Sequence, residues 1–161
     1  MAKFSNIGDL TMVITSTGIT LSVAAGAPAT LDKLGYEALA FVEVGEVTDL
    51  GEYGPNVEVV THNPLKTGVT QKLPGFINYG SQTIALGWDV ADAGQTLLSD
   101  AANNPATAGE HSVKVQYADG SIDYYVGRVF SYTKAPGSAN SVVGSNVNFE
   151  INTPVLNVPA P

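Results

Sequence analysis

The stretch HSVKVQYADGSIDYYVGRV, residues 111–129, restricts the fold of this chain more tightly than any other. Two runs of alternating side chains flank an Asp-Gly pair, and Asp119-Gly120 suits the positive backbone dihedrals of a two-residue type I′ turn. Such a turn sets Ala118 opposite Ser121 and fixes the register beyond them. Tyr117 then meets Ile122, Val115 meets Tyr124 and Val113 meets Val126 on one apolar face. Gln116 meets Asp123 and Lys114 meets Tyr125 on a mostly polar one. A chain organised around this hairpin is expected to be antiparallel and mainly β.

The rest of the sequence extends the pattern. Leu10, Met12 and Ile14, then Ile19, Leu21 and Val23, alternate with polar residues around Ser16-Thr17-Gly18 and read as an opening hairpin. GYEALAFVEVGEVTDLGEYG, after a small-residue connector at 24–30, reads as one long strand or as two broken at Gly45, and VEVV at 57–60 resumes it. Residues 61–78, with two prolines, two glycines and no sustained periodicity, read as a long loop. SQTIALGW is a further strand, and SNVNFEIN sets Val147, Phe149 and Ile151 against Asn146, Asn148, Glu150 and Asn152. The spacing of Val90, Ala93, Leu97, Leu98 and Ala101 predicts one helix over about 90–102, capped by Asp89 with Asp92 in its first turn. The tail 153–161 is expected to be extended and peripheral. About eight strands and one helix point to an antiparallel β-sandwich or partly closed barrel with a flanking helix, in a single domain over 1–161.

Composition narrows the chemistry. Fifteen acidic residues against seven basic ones give a net charge of −8, which repels nucleic-acid backbone and anionic membrane. Without cysteine there is neither a disulfide framework nor a thiolate nucleophile or metal ligand. The start MAKFSNIGDL lacks an apolar leader core and no run approaches the roughly 20 apolar residues that span a bilayer, so the chain is expected to be made in the cytoplasm. His62 and His111 have no HxxxH, HxH or HExxH neighbour and read as exposed loop or strand-edge residues, and the GxSxG, GxGxxG and GxxxxGK[ST] patterns are absent. No enzyme activity, metal or cofactor is expected. From Asp32 to Glu58 seven acids accompany one base, Lys33, which makes a surface unsuited to holding a polyanion.

The order of VEVGEVTDLGEYG, KLPGFINYGSQTIALGW, AGQTLL on a helix and YADGSIDYYVGRV resembles that of the tail tube (major tail) proteins of long-tailed, non-contractile bacteriophages, over roughly residues 36–132. The resemblance implies a structural virion protein of the phage tail. Six copies would form a ring whose inner sheets complete a multi-subunit barrel, and rings would stack into a tube, a passive conduit for DNA during ejection. It also implies tape measure, tail tip and tail terminator proteins as partners, with assembly in the host cytoplasm, no membrane, and phage DNA passing without specific binding. In such a tube Glu43, Glu46, Asp49, Glu52 and Glu58 are candidates to face the lumen. Leu65, Lys66, Val69, Lys72 and Leu73, in a segment too polar and broken to pack within its own domain, are candidates for inter-ring or inter-subunit contact. The alternative is a carbohydrate- or protein-binding β-sandwich module on a virion or cell surface, using Tyr53, Phe76, Tyr79 and Tyr132 as exposed aromatics.

Overall fold

The structure, a computed structural model, describes residues 13–161. Its strands are β1 (Thr20–Ala25), β2 (Val42–Val44), β3 (Val47–Asp49), β4 (Asn56–His62), β5 (Gln71–Asn78), β6 (Ser81–Gly87), β7 (His111–Gln116), β8 (Ile122–Ala135), β9 (Gly144–Ile151) and β10 (Leu156–Val158). Three helices interrupt them: α1 (Lys33–Glu37), α2 (Ala93–Asn103) and α3 (Pro105–Ala108). One antiparallel sheet runs β2-β1-β7-β8-β9-β6-β3, with β10 added to β8. Its two edge strands, β2 and β3, are consecutive in the chain and separated only by Gly45 and Glu46. The sheet therefore curls until its ends meet at that corner, but β2 and β3 do not pair and no barrel closes. Inside the curl lie Leu21, Val23, Val44, Ile84, Leu86, Val113, Val115, Tyr125, Val129, Val147, Phe149 and Ile151, with Leu98 and Ala101 of α2. The mainly β, antiparallel class with a flanking helix is as the sequence predicts, and so is the inward set of β9.

The central hairpin differs from its predicted register by one residue. Glu46 is the only non-glycine residue at positive φ among those described, so Asp119 does not adopt the type I′ conformation. Gly120, at φ 90°, donates its N–H to the Tyr117 carbonyl, and Tyr117 donates to the Ser121 carbonyl. Asp119 instead uses its carboxylate, accepting from the Ser121 N–H and hydroxyl at 2.8 and 2.6 Å. This is a type I turn followed by a left-handed glycine, one residue longer than the predicted loop. Gln116 consequently faces Ile122, Val115 faces Asp123 and Val113 faces Tyr125. A slip of one residue exchanges the faces of β8. Tyr125 enters the main core, whereas Tyr124 and Val126 turn outward onto a second apolar cluster with Tyr36, Leu39, Phe41, Ile122, Leu156 and Val158. The face expected to be polar is thus covered by α1 and β10, with Tyr36 stacked on Tyr124 at 4.9 Å. The C-terminal tail supplies β10 to this cover and is not merely peripheral.

Other elements also depart from expectation. Leu10 and Met12 of the opening hairpin lie outside the described residues, and β1 pairs with β2 and β7. The segment read as a loop over 61–78 is mostly strand: β4 and β5 pair from Asn56↔Asn78 to His62↔Gln71, leaving 63–70 as the tip. Valines at 57, 59 and 60 favour this extended backbone, and the bulge between Val57 and Val59 accommodates Pro74, which cannot donate to a ladder. Helix α2 begins later than predicted because Asp92, not Asp89, is its N-cap, accepting from the Gln95 N–H at 2.7 Å. Asp89 closes the preceding turn by accepting from the Ala91 N–H, and Val90 stays exposed.

Candidate assembly surfaces

Strands β3 and β6 continue into β4 and β5 as one long ribbon that leaves the main sheet at a glycine joint. Gly51 (φ 61°) and Gly80 (φ 88°) take backbone conformations that side chains disfavour, and a Cβ on Gly51 would stand 2.6 Å from the Thr83 carbonyl oxygen. Asp49 and Asn78 accept from the N–H groups of Gly51 and Gly80, at 2.7 and 2.9 Å, which stiffens both sides of the joint. Beyond it the ribbon projects as an arm. Every residue of β4 and β5 except Gly75 is exposed, including Val57, Val59, Val60, Leu73, Phe76 and Ile77. At the tip Leu65 is fully exposed, on a turn closed by the Gly68 N–H and the Pro64 carbonyl. A lone two-stranded hairpin is marginal in water, and this one leaves apolar side chains uncovered.

The candidate contact residues Leu65, Lys66, Val69, Lys72 and Leu73 all lie on this arm and are exposed. The acidic candidates divide between two places. Glu43 on β2 and Glu46 at the corner are exposed at the far end of β6 from the arm, Asp49 at the end of β3 and Glu52 beyond it are exposed by the arm's root, and Glu58 stands on β4. From Val59 to Trp88 the sequence holds no acid, so Lys66 and Lys72 make the arm's outer half cationic. Lys33–Glu37, at 3.7 Å, is the one ion pair among the described residues.

The corner itself is held by Gln95, which no sequence motif marks, together with Asp92. Gln95, buried, donates from its amide nitrogen to the carbonyls of Gly45 and Gly87 at 3.1 and 2.8 Å. Its amide oxygen accepts from the Asp89 N–H and the Tyr132 hydroxyl. Asp92 spends one carboxylate oxygen on the helix cap and the other on the Gly45 N–H, at 2.9 Å. Capping motifs mark Asp92 in the sequence, but only the curled sheet brings Gly45 and Gly87 to Gln95. A second buried polar group sits at the arm's root. Asp123 accepts from the hydroxyls of Tyr53 and Tyr117 at 2.7 and 2.9 Å and from the Asn157 amide at 2.7 Å. Burial pushes the pKa of both phenols up, so they remain donors to the carboxylate.

Among the four candidate binding aromatics, Tyr53, Tyr79 and Tyr132 are partly buried against the main core, and only Phe76 is exposed. His62 is exposed on β4, but His111 is a correction: it begins β7 inside the sheet, between Ala25 and Gly127, and is buried with Nδ1 unpartnered. Among the described residues no group of three or more His, Cys, Asp or Glu could hold a metal ion, and no helix is long and apolar enough to cross a membrane.

No family model and no curated protein matches this sequence. Solved structures do share its fold. The SPP1 tail tube, determined by solid-state NMR and cryo-EM, aligns with a TM-score of 0.64 at 12% identity, over 90% of this chain and 78% of that one. The tail of an empty gene transfer agent (GTA) particle with C6 symmetry aligns at 0.63 and 16% identity, over 91% of this chain and 100% of that one. The sheath/tube terminator of an extracellular contractile injection system, PVC, aligns at 0.65 and 11% identity, over 93% and 99%. The fold is therefore that of tail tube and terminator proteins, in contractile systems as well as others.

Proposed function

We propose that this chain is a structural component of a phage-type tail, a tube protein whose copies form six-membered rings that stack into a passive conduit for DNA. The observation that carries the reading is the arm: a chain with a tail-tube fold projects a hairpin whose apolar side chains are left exposed by the described residues. Such a surface suits a repeating contact between copies, and head-to-tail repetition generates filaments. Leu65, Lys66, Val69, Lys72 and Leu73 are its inter-ring or inter-subunit residues. The likeness to tails described with sixfold symmetry supports the ring.

The lumen wall is drawn from surfaces that do not attract a polyanion. The outer side of β6, β9 and β8 presents exposed Ser81, Thr83, Asn146 and Thr133 together with Arg128, which stands opposite Glu150, and Glu43, Glu46, Asp49, Glu52 and Glu58 add negative charge elsewhere on the surface. Duplex DNA carries one negative charge per roughly 1.7 Å, so cationic contacts repeated over many rings would stall it. The order of motifs favours a non-contractile, long-tailed particle, a distinction the shared fold leaves open. Tape measure, tail tip and tail terminator proteins are the partners this role requires, and the particle tail is its location. Electron microscopy of the concentrated protein tests the proposal: sixfold rings or tubes with a central hole are expected. A species that stays monomeric at every concentration and salt, even with a tail-tip initiator, would refute it.

A further inference from the structure

We infer that the tip of the arm, Leu65 with Lys66, docks into the cleft at the arm root of a second copy of this chain. The inference rests on the tube reading and names the receptor of its longitudinal contact. A cleft of about 390 Å³ opens at the arm's root, with Ile19, Val47, Leu50, Val115, Tyr53 and Tyr117 among its walls and exposed Asp49 also lining it. Ser16, Thr48 and Gly51 complete the lining, so the recess is part apolar and part polar, and Glu52 follows it directly in the chain. The tip has the complementary make-up: a fully exposed leucine beside a lysine, with Lys72 behind them and no acid from Val59 to Trp88. Leucine covers the apolar walls of such a recess, and lysine lowers its energy beside the carboxylates of Asp49 and Glu52.

Reach decides that the occupant is another molecule. Strand β4 has seven residues, and at about 3.3 Å per residue the tip stands roughly 20 Å from the root, so it cannot enter its own cleft while the arm is extended. Tip and cleft are different patches at opposite ends of one ribbon. Their contact is heterologous and leaves a free tip and a free cleft at the two ends of any row, which is the condition for unlimited stacking.

The chain has no cysteine, which permits a direct test by cross-linking the variant carrying both Leu50→Cys and Leu65→Cys. On oxidation under assembling conditions it should give a ladder of covalent multimers, while an equal mixture of the two single variants should stop at heterodimers. Lys66→Glu with Lys72→Glu should raise the concentration needed for polymer about tenfold, the effect of two surface pairs at about 0.7 kcal/mol each. Adding Glu52→Lys should recover part of that loss. Polymer that forms without the 50–65 bond would overturn the docking site and leave the tube reading standing. Bonds between two Leu65→Cys tips would overturn it by showing a tip-to-tip contact. An intramolecular bond in a Leu10→Cys, Leu50→Cys variant would overturn it too, since the chain's own N-terminal segment would then occupy the cleft. Absence of any polymer from the unmodified chain would sink the tube reading itself.

Discussion

Glu46 shows how a single residue records a tertiary constraint. It sits at φ 58°, a left-handed conformation that costs a side-chain-bearing residue about 1–2 kcal/mol, at the two-residue corner between β2 and β3. Its carbonyl accepts from the Gly87 N–H at 2.8 Å, so the corner is tied to β6 in this conformation. Glu46→Gly should therefore stabilise the folded chain by about 0.5–1 kcal/mol, read as a raised urea midpoint at unchanged slope, because glycine relieves the strain at some cost in unfolded-state entropy. His111 predicts the opposite kind of effect. Burial lowers its pKa, so the folded chain holds it neutral while the unfolded chain binds a proton near pH 6.5. The stability this contributes is present above the unfolded pKa and is lost as pH falls below about 6.5. In a series of denaturation curves from pH 8 to 5, His111→Gln should flatten that loss relative to the unmodified chain; an unchanged slope would show that His111 is not buried in solution. No neighbouring residue in the sequence marks His111 as buried, because β1 and β8, which cover it, are remote along the chain.

At the scale of elements, α2 works as a fastener as much as a cover. Its apolar stripe delivers Leu98 and Ala101 to the core, which the periodicity predicts. Its first turn does something the periodicity does not show: Asp92 and Gln95 bond the backbone where the two ends of the sheet meet. Gln95→Ala would leave two carbonyls and two donors without their partner, and it should cost about 3 kcal/mol. Asp92→Asn keeps a cap and should cost less than Asp92→Ala, for which about 1–2 kcal/mol is expected. Chemical denaturation of the three variants checks the order. Equal losses in all three would mean that the corner holds without the helix. The central hairpin gives a parallel lesson, since Asp119-Gly120 correctly announces a turn but leaves its length open. A loop longer by one residue exchanges the faces of β8 and places Asp123 inside, where Tyr53, Tyr117 and Asn157 satisfy it.

For the whole molecule, the arm and the acids carry the functional predictions. Deleting Lys66 to Gln71 shortens the tip without touching either core cluster. The variant should stay folded, with a near-native circular dichroism spectrum and urea midpoint, yet fail to polymerise by sedimentation. Normal polymer from it would remove the arm from assembly. Replacing Glu43 and Glu46 by Lys should leave tubes that assemble but release DNA slowly. Added salt should relieve the defect, because exposed charges are screened within about 8–10 Å at ordinary ionic strength. Ejection rates across a salt series decide the point, and unmodified rates in the double variant would place these carboxylates on the outer wall. Neither replacement changes the left-handed strain at position 46, so the charge effect is separable from the corner.

By itself the sequence determined what depends on near neighbours: strand character from alternation, the helix near 90–102, the inward set of β9 and an acidic chain, while the break at Gly45 stayed one of two readings. Register, burial and partnership were decided by the tertiary structure, because each depends on which strands lie side by side. The curl of the sheet unites β2 with β3 and gives Gln95 its carbonyls, and it buries His111 and Asp123 from remote strands. The arm is the clearest case. Its valines at 57–60 read as strand, whereas the prolines and glycines of 61–78 read as loop until Val60 is seen opposite Leu73, and its exposure appears only once the described residues are folded and none of them covers it.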